Sequence, residues 1–255
     1  MFLGIDHLVI AVADPDDAAE ELERELGLAA TGGGRHDALG TFNRLVWLGD
    51  SYLELIGVFD RTLAEESWIG APTVQMLDRG GGLATWAIAT DALPPELAKL
   101  RAAGSDLAEP VAGERLRPDG TIVRWWVALP PLLGPLEPPF LIEHDAAAAE
   151  WTPTERMARS TQHHPVGGSV SLEAVELSVD DLNGLGQRFG RSAGLRFRPS
   201  LAGGGCRDAS VGRQTVRLRP RRGGSAAALI HLAGPVSDKR VGEFLGCRWT
   251  MRPIR

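Results

Sequence analysis

Cysteine is nearly absent: the 255 residues hold Cys206 and Cys247 and no others. The two are too far apart for a CxxC site and too few for a disulfide framework, which points to a reducing, cytoplasmic setting. Long apolar runs are also missing; none approaches the roughly 20 residues that a membrane span needs. The opening MFLGIDHLVIAVADP has no positively charged leader, and Asp6 and Asp14 bracket its apolar stretch. It reads as a buried strand rather than a signal peptide. Positive charge is not in excess either. With 27 basic against 33 acidic residues the net charge is −6, which argues against a nucleic-acid partner. None of the triple-glycine runs precedes a GK[ST] sequence, so no phosphate loop of that type is present. What remains is a chain able to bury a sizeable core, as one large domain or two small ones at about 100–200 residues each.

One plan recurs along the chain. IDHLVIAVADPDDAAEELERELGL, LATWAIATDALPPELAKLRAAG and LEAVELSVDDLNGLGQRFGRSAG each open with a short apolar stretch closed by an aspartate (Asp14, Asp91, Asp180). Each then runs as a helix to a glycine (Gly27, Gly104, Gly194). Aspartate can cap the free amides that start a helix, and glycine can adopt the left-handed conformation that ends one. Further apolar stretches follow each helix, and Gly49-Asp50 reads as a hairpin turn between TFNRLVWL and SYLELIGV. Each unit is therefore expected to run strand, helix, three strands. The predicted layout is a domain over 1–146 made of units 1–60 and 80–146, a connector over 147–168, and a third unit with a C-terminal tail over 169–255. Within that tail VGEFLG is expected to form a short helix.

The tandem strand–helix–three-strand plan resembles the vicinal oxygen chelate superfamily of glyoxalase I, extradiol dioxygenases and bleomycin-resistance proteins. DHLVIAV, GGRHDALGTFNRLVWLGDSYLELIGV, RPDGTIVRWW and PPFLIEHD resemble the glyoxalase-like domain family in particular. The resemblance implies an α+β fold in which paired βαβββ units form one cupped sheet, with a ligand or metal on the concave face. It does not fix the reaction, because this scaffold hosts many chemistries.

Side-chain alternation puts His7 on the face opposite Leu8, Ile10 and Val12, and Glu54 opposite Leu53 and Leu55, so both are expected inside the cup. Matched position by position to glyoxalase I, the metal ligands would be His7, Glu54 and Glu143, with Thr85 where the family has a second histidine. One imidazole and two carboxylates could hold manganese, zinc, nickel, iron, cobalt or magnesium. A metal-free cup, with His7 as a lining residue, is the alternative. The family's histidine–threonine–asparagine stretch corresponds to His36, Thr41 and Asn43, and makes His36 a candidate general acid or base. Thr85, Arg124 and Trp126 are the further candidate ligand contacts. Arg117 belongs to the same strand pair as Arg124, joined by a Pro118-Asp119-Gly120 turn.

The other histidines read as structural. His144 should face away from Glu143, His163 and His164 should be solvent-exposed in the connector, and His231 should be a satisfied core histidine. Ala174 leaves no second metal site in the third unit, and the basic run from Arg217 reads as a solvated edge. Two functions follow: a glyoxalase-type isomerase or lyase acting on a small molecule, or a protein that binds or sequesters one. No nucleic-acid or membrane partner is expected. A lone third unit would leave a sheet edge to cover, either by packing on the first two units or by pairing with its copy in a second chain as a homodimer.

Overall fold

β1 (Phe2–Ala11) is buried from Gly4 onward and carries aliphatic side chains on both faces, the pattern of a strand inside a sheet. Asp14 caps α1 (Pro15–Leu26) by accepting from the amides of Asp16 and Asp17, and Gly27 ends that helix with φ of 71°. β2 (Thr31–His36), β3 (Thr41–Leu48) and β4 (Ser51–Val58) complete the first unit. Two short helices follow, α2 (Arg61–Glu66) and α3 (Gly70–Leu77). The second unit comprises β5 (Gly82–Thr90), α4 (Leu93–Ala102), β6 (Val111–Leu116), β7 (Ile122–Ala128) and β8 (Phe140–His144). This computed structural model describes residues 1–116, 122–147, 151–222 and 227–254. Arg117 and the Pro118-Asp119-Gly120 turn lie outside the described residues.

The two units join in one eight-stranded sheet, β2-β3-β4-β1-β5-β8-β7-β6. β1 runs parallel to β4, β5 parallel to β8, and β1 antiparallel to β5 across the centre. The fold is α+β, with tandem βαβββ units.

α5 (Pro153–Ser160) lies in the connector, followed by β9 (Ser171–Val179), α6 (Leu182–Ala193), β10 (Arg198–Pro199), β11 (Arg207–Val211) and β12 (Gln214–Pro220). Asp181, rather than Asp180, caps α6. β13 (Ala228–Gly234) pairs antiparallel with β9 as β5 does with β1, so it opens a fourth unit instead of closing the third. That unit continues without a helix into β14 (Arg240–Phe244) and β15 (Cys247–Pro253). The expected helix and tail are thus a hairpin. It turns at Leu245 and Gly246, whose φ angles of 48° and 62° make the two-residue turn that suits twisted strands. A Leu-Gly pair stands where Asn-Gly or Asp-Gly usually announces that turn. The second sheet is seven-stranded, β10-β11-β12-β9-β13-β15-β14. Its extra strands remove the lone uncovered unit that suggested a dimer.

The helix-bearing faces of both sheets share one core. Leu8, Ile10, Leu53 and Leu55 of the first sheet belong to the same buried cluster as Val175, Leu177 and Ile230 of the second. At its middle Trp86 of β5 meets Phe189 of α6, with ring centroids 5.9 Å apart. The other face of each sheet therefore points away from this shared core. Among the described residues no helix is long and apolar enough to cross a membrane.

Candidate functional site

On the concave face of the first sheet, Val9, Ala11, Ile56 and Ala84 pack against Ile69 and Met76, so α3 fills one end of the cup. The other end holds a cavity of about 670 Å³, its mouth included. Its walls are aromatic: Trp47, Tyr52, Trp68, Trp125, Phe140 and Trp151. His7, His36, Asn43, Glu54 and His144 supply its polar groups.

A register shift in β1 between Ile5 and His7 marks a bulge, a device that re-aims a side chain. Asp6 is buried at that point. Its Oδ1 lies 2.6 Å from His7 Nδ1, and its Oδ1 and Oδ2 lie 3.2 and 3.1 Å from His144 Nε2. Burial alone would favour the neutral acid. The charge and hydrogen bond of His144 and the hydrogen bond of His7 outweigh it, holding the carboxyl well below the usual carboxylate range. An Asp6 anion is acceptor-only, so both imidazoles donate to it. His7 Nδ1 is thus the donor to Asp6, and its Nε2 faces the cavity, 3.7 Å from Glu54 Oε2. Tyr52 stacks on the His7 ring at 4.6 Å and Phe140 meets it edge-on at 5.5 Å, which fixes its orientation. His144 stacks on Trp151 at 3.4 Å.

Glu54 is also held. Its Oε1 accepts from Asn43 Nδ2 at 2.5 Å, while Asn43 Oδ1 accepts from the Gly34 amide at 2.9 Å. His36 stands at the end of β2 opposite Thr41, its Nδ1 3.1 Å from the Thr41 hydroxyl. His36 and Asn43 line the cavity; Thr41 is buried behind them and positions His36.

The second unit departs from expectation. Glu143 faces away from the cup and accepts a hydrogen bond from the Leu93 amide at 2.6 Å. It thereby satisfies the start of α4, where Ala92 supplies no side-chain cap. Asp91, expected to cap that helix, instead pairs with the N-terminal amine at 3.2 Å. Trp126 is paired with Glu143 and shares its outward face, and Arg124 lies 3.5 Å from Glu114. The concave face at this end belongs to Trp125, Phe140, Ile142 and His144. One error of strand parity thus displaces Glu143, Arg124 and Trp126 together and brings in His144. Thr85 is fully buried, its hydroxyl has no partner, and it lies outside the cavity.

The donor set can be compared with the expected metal site. His7 and Glu54 meet, but Ala87, Phe140 and Ile142, which offer no ligand, share the concave-side cluster of the second unit. Among the described residues no group of three His, Cys, Asp or Glu side chains is arranged to hold a metal ion. The residues present do not fit the three-ligand site that His7, Glu54 and Glu143 were expected to form.

The model of the glyoxalase-like domain matches residues 5–192, from β1 into α6. The chain belongs to the glyoxalase-like domain family. This places it in the vicinal oxygen chelate superfamily. No curated protein matches it. A crystal structure of a hypothetical protein from Staphylococcus aureus is similar at 15% identity and a TM-score of 0.78, covering 98% of this chain and 99% of that one. Methylmalonyl-CoA epimerase from Streptomyces coelicolor, in complex with 2-nitronate-propionyl-CoA, is 20% identical with a TM-score of 0.43 and covers 58% of this chain and 99% of its own. The Mycobacterium tuberculosis methylmalonyl-CoA epimerase is 21% identical with a TM-score of 0.38, covering 55% and 86%.

In this glyoxalase-like chain two further histidines differ from their sequence reading. His164 is fully buried, not exposed: its Nδ1 accepts from the Ala29 amide at 3.2 Å and its Nε2 donates to the Trp47 carbonyl at 2.8 Å. His231 lies on the outer face of the second sheet rather than in the core, 2.9 Å from Thr250 Oγ1 and 3.6 Å from Glu176 Oε2. Arg217, on the interior strand β12, pairs with Asp208 and is no edge residue.

Burial lowers the pKa of His144 and of His164 below the ordinary imidazole value. Below an unfolded-state pKa of about 6.5 the unfolded chain therefore binds more protons than the folded one, and stability falls as pH drops. The expected loss between pH values of about 7.5 and 5.5 is about 1–3 kcal/mol, read from denaturation midpoints. His164→Gln, which can keep one donor and one acceptor, should flatten part of that slope. A midpoint independent of pH over this range would contradict the assignment.

Proposed function

We propose that this protein is a metal-independent proton-transfer enzyme, of isomerase type, acting on a small molecule with vicinal oxygens. The observation that carries the reading is the Asp6–His7 pair, with the second imidazole nitrogen open to an aromatic cavity beside Glu54. His7 Nε2 takes a proton from the carbon next to a ligand carbonyl. The electron pair of the broken C–H bond moves to the carbonyl oxygen and forms an enediolate. The imidazolium made at His7 is flanked by two carboxylates, Asp6 at Nδ1 and Glu54 at Nε2, which stabilise it. The hydroxyl proton passes to the charged oxygen, the oxygen that loses it forms the new carbonyl, and the electron pair of the C=C bond takes the proton back from Nε2 at the neighbouring carbon. His36 at the mouth serves as hydrogen-bond donor to the oxygen that gains charge. The aromatic walls exclude water, which strengthens each of these interactions.

The test begins with a screen of vicinal hydroxy-ketones and 2-oxoaldehyde adducts. For a compound that turns over, Glu54→Gln is expected to lower kcat by roughly 100-fold with little change in ligand affinity. Equal turnover by the variant would reject the role of Glu54. The density of aromatic side chains supports a second reading, a protein that sequesters its ligand; it predicts tight binding with no turnover by wild type.

A further inference from the structure

Two properties of the cavity restrict what it can hold: its charge and the use its rings are already put to. Among the described residues no lysine or arginine lines it, and Arg124 of β7 turns outward, 3.5 Å from Glu114. What it offers instead are carboxylates, Glu54 in the wall and Asp6 behind His7. A ligand phosphate or carboxylate would enter with no cation to pair with, and a buried unpaired charge is costly. A cation would suit the carboxylates, and aromatic faces can hold one. Here several faces are taken. His144 stacks on Trp151 at 3.4 Å and the Arg159 guanidinium sits 4.2 Å from the same ring, so the two cover its opposite faces. Arg159 also covers Trp47 at 4.3 Å, and His7 covers one face of Tyr52 at 4.6 Å. Trp151 therefore turns only its edge to the cavity, and a ring edge carries partial positive charge. That edge repels a cation and attracts the π-face of another ring. Trp68 and Trp125 also line the cavity and are only half-buried, so indole surface is left for a ligand to cover.

We propose that the ligand of this cavity is uncharged and carries an aromatic ring, which lies against Trp68 and Trp125 with the oxygenated carbons toward His7 and Glu54. The substrate class is then an aryl hydroxy-ketone rather than a phosphorylated, carboxylated or cationic one. The inference rests on the cavity being the site of the proposed function, but on no step of its chemistry.

The probes are 2-hydroxyacetophenone and its ring-saturated counterpart, 2-hydroxy-1-cyclohexylethanone, each titrated by calorimetry into the full chain. The cyclohexyl compound has more apolar surface, so burial alone favours it. Ring–ring contacts are expected to reverse that order and make the aryl ketone bind about fivefold tighter or more. A para carboxylate on the aryl ketone should weaken binding about tenfold or more relative to its methyl ester. A para trimethylammonium group should bring no gain over an uncharged tert-butyl group of the same shape. Trp68→Leu and Trp125→Leu keep an apolar wall, and each should narrow the aryl preference while the cyclohexyl ketone, still bound, reports that the cavity is intact. Cyclohexyl binding as tight as aryl binding overturns the proposal, as does a carboxylate bound as well as its ester or a gain from the ammonium group. An aryl preference unchanged in both variants, or no binding by any member, also overturns it. Aryl-selective binding without turnover supports the proposal and counts against the enzyme reading alone. Turnover of aliphatic hydroxy-ketones with no aryl preference does the reverse.

Discussion

Asp6→Asn is expected to reduce turnover by roughly 10³- to 10⁴-fold while leaving the cavity in place. The reason lies in hydrogen-bond chemistry. Asp6 accepts from His7 Nδ1 on one side and from His144 Nε2 on the other. Asparagine replaces one oxygen acceptor by an amide donor, so an imidazole left facing that amide must change tautomer. If it is His7, its lone pair turns to Nδ1 and the cavity faces an N–H in place of a base. Ligand affinity should change little, so the loss falls on kcat. The conservative Asp6→Glu variant should recover only part of it, because the bulge sets the carboxylate distance. Steady-state kinetics on any compound the protein turns over would check this. An Asp6→Asn variant with wild-type kcat would remove Asp6 from the mechanism.

The second large effect is on stability. Phe189→Ala is expected to cost about 3–5 kcal/mol, because it removes a fully buried ring from the middle of the core. Phe189 packs on Trp86 of the first sheet and lies 6.1 Å from Phe197 of the second. Both sheets lose contacts, so the thermal transition should move down by about 6–20 °C as a whole. Tryptophan fluorescence from the cavity and far-ultraviolet circular dichroism should report one coincident transition. Two separate transitions, or a loss under about 1 kcal/mol, would show that the sheets do not share a core.

Much of the fold is legible in the sequence because its punctuation is local. Asp14 with Pro15 and Gly27, and Gly194 after α6, are capping chemistry that any reader can apply. The fourth unit was not legible: it has lost its helix, and its hairpin turns on Leu-Gly. Legibility of the site follows the same physics. On β1 and β4 the pairs Leu8–Ile10 and Leu53–Leu55 mark the core face, so the concave side chains, His7 and Glu54, can be assigned from alternation. On β7 and β8 large side chains stand on both faces, and alternation gives no sign of which set is inside. Trp125 and Trp126 are adjacent, as are Glu143 and His144, so a slip of one residue exchanges an aromatic–imidazole wall for an arginine and a carboxylate. Asp6 carried a signal that could have been read. A carboxylate inside a buried apolar strand needs partners, and the adjacent His7 is one of them. His144 had no such signal, since it meets Asp6 only through the order of the strands.

The most direct test of the central claim is deuterium exchange. A bound hydroxy-ketone is incubated with the protein in heavy water, and the C–H signal beside its carbonyl is followed by proton NMR. The account predicts that wild type washes out this signal well above the rate of buffer alone, and that His7→Gln falls to the buffer rate while still binding the ketone. Exchange by His7→Gln at the wild-type rate would contradict His7 as the base. A ketone that wild type binds but does not exchange would contradict proton transfer and leave the cavity as a binding site.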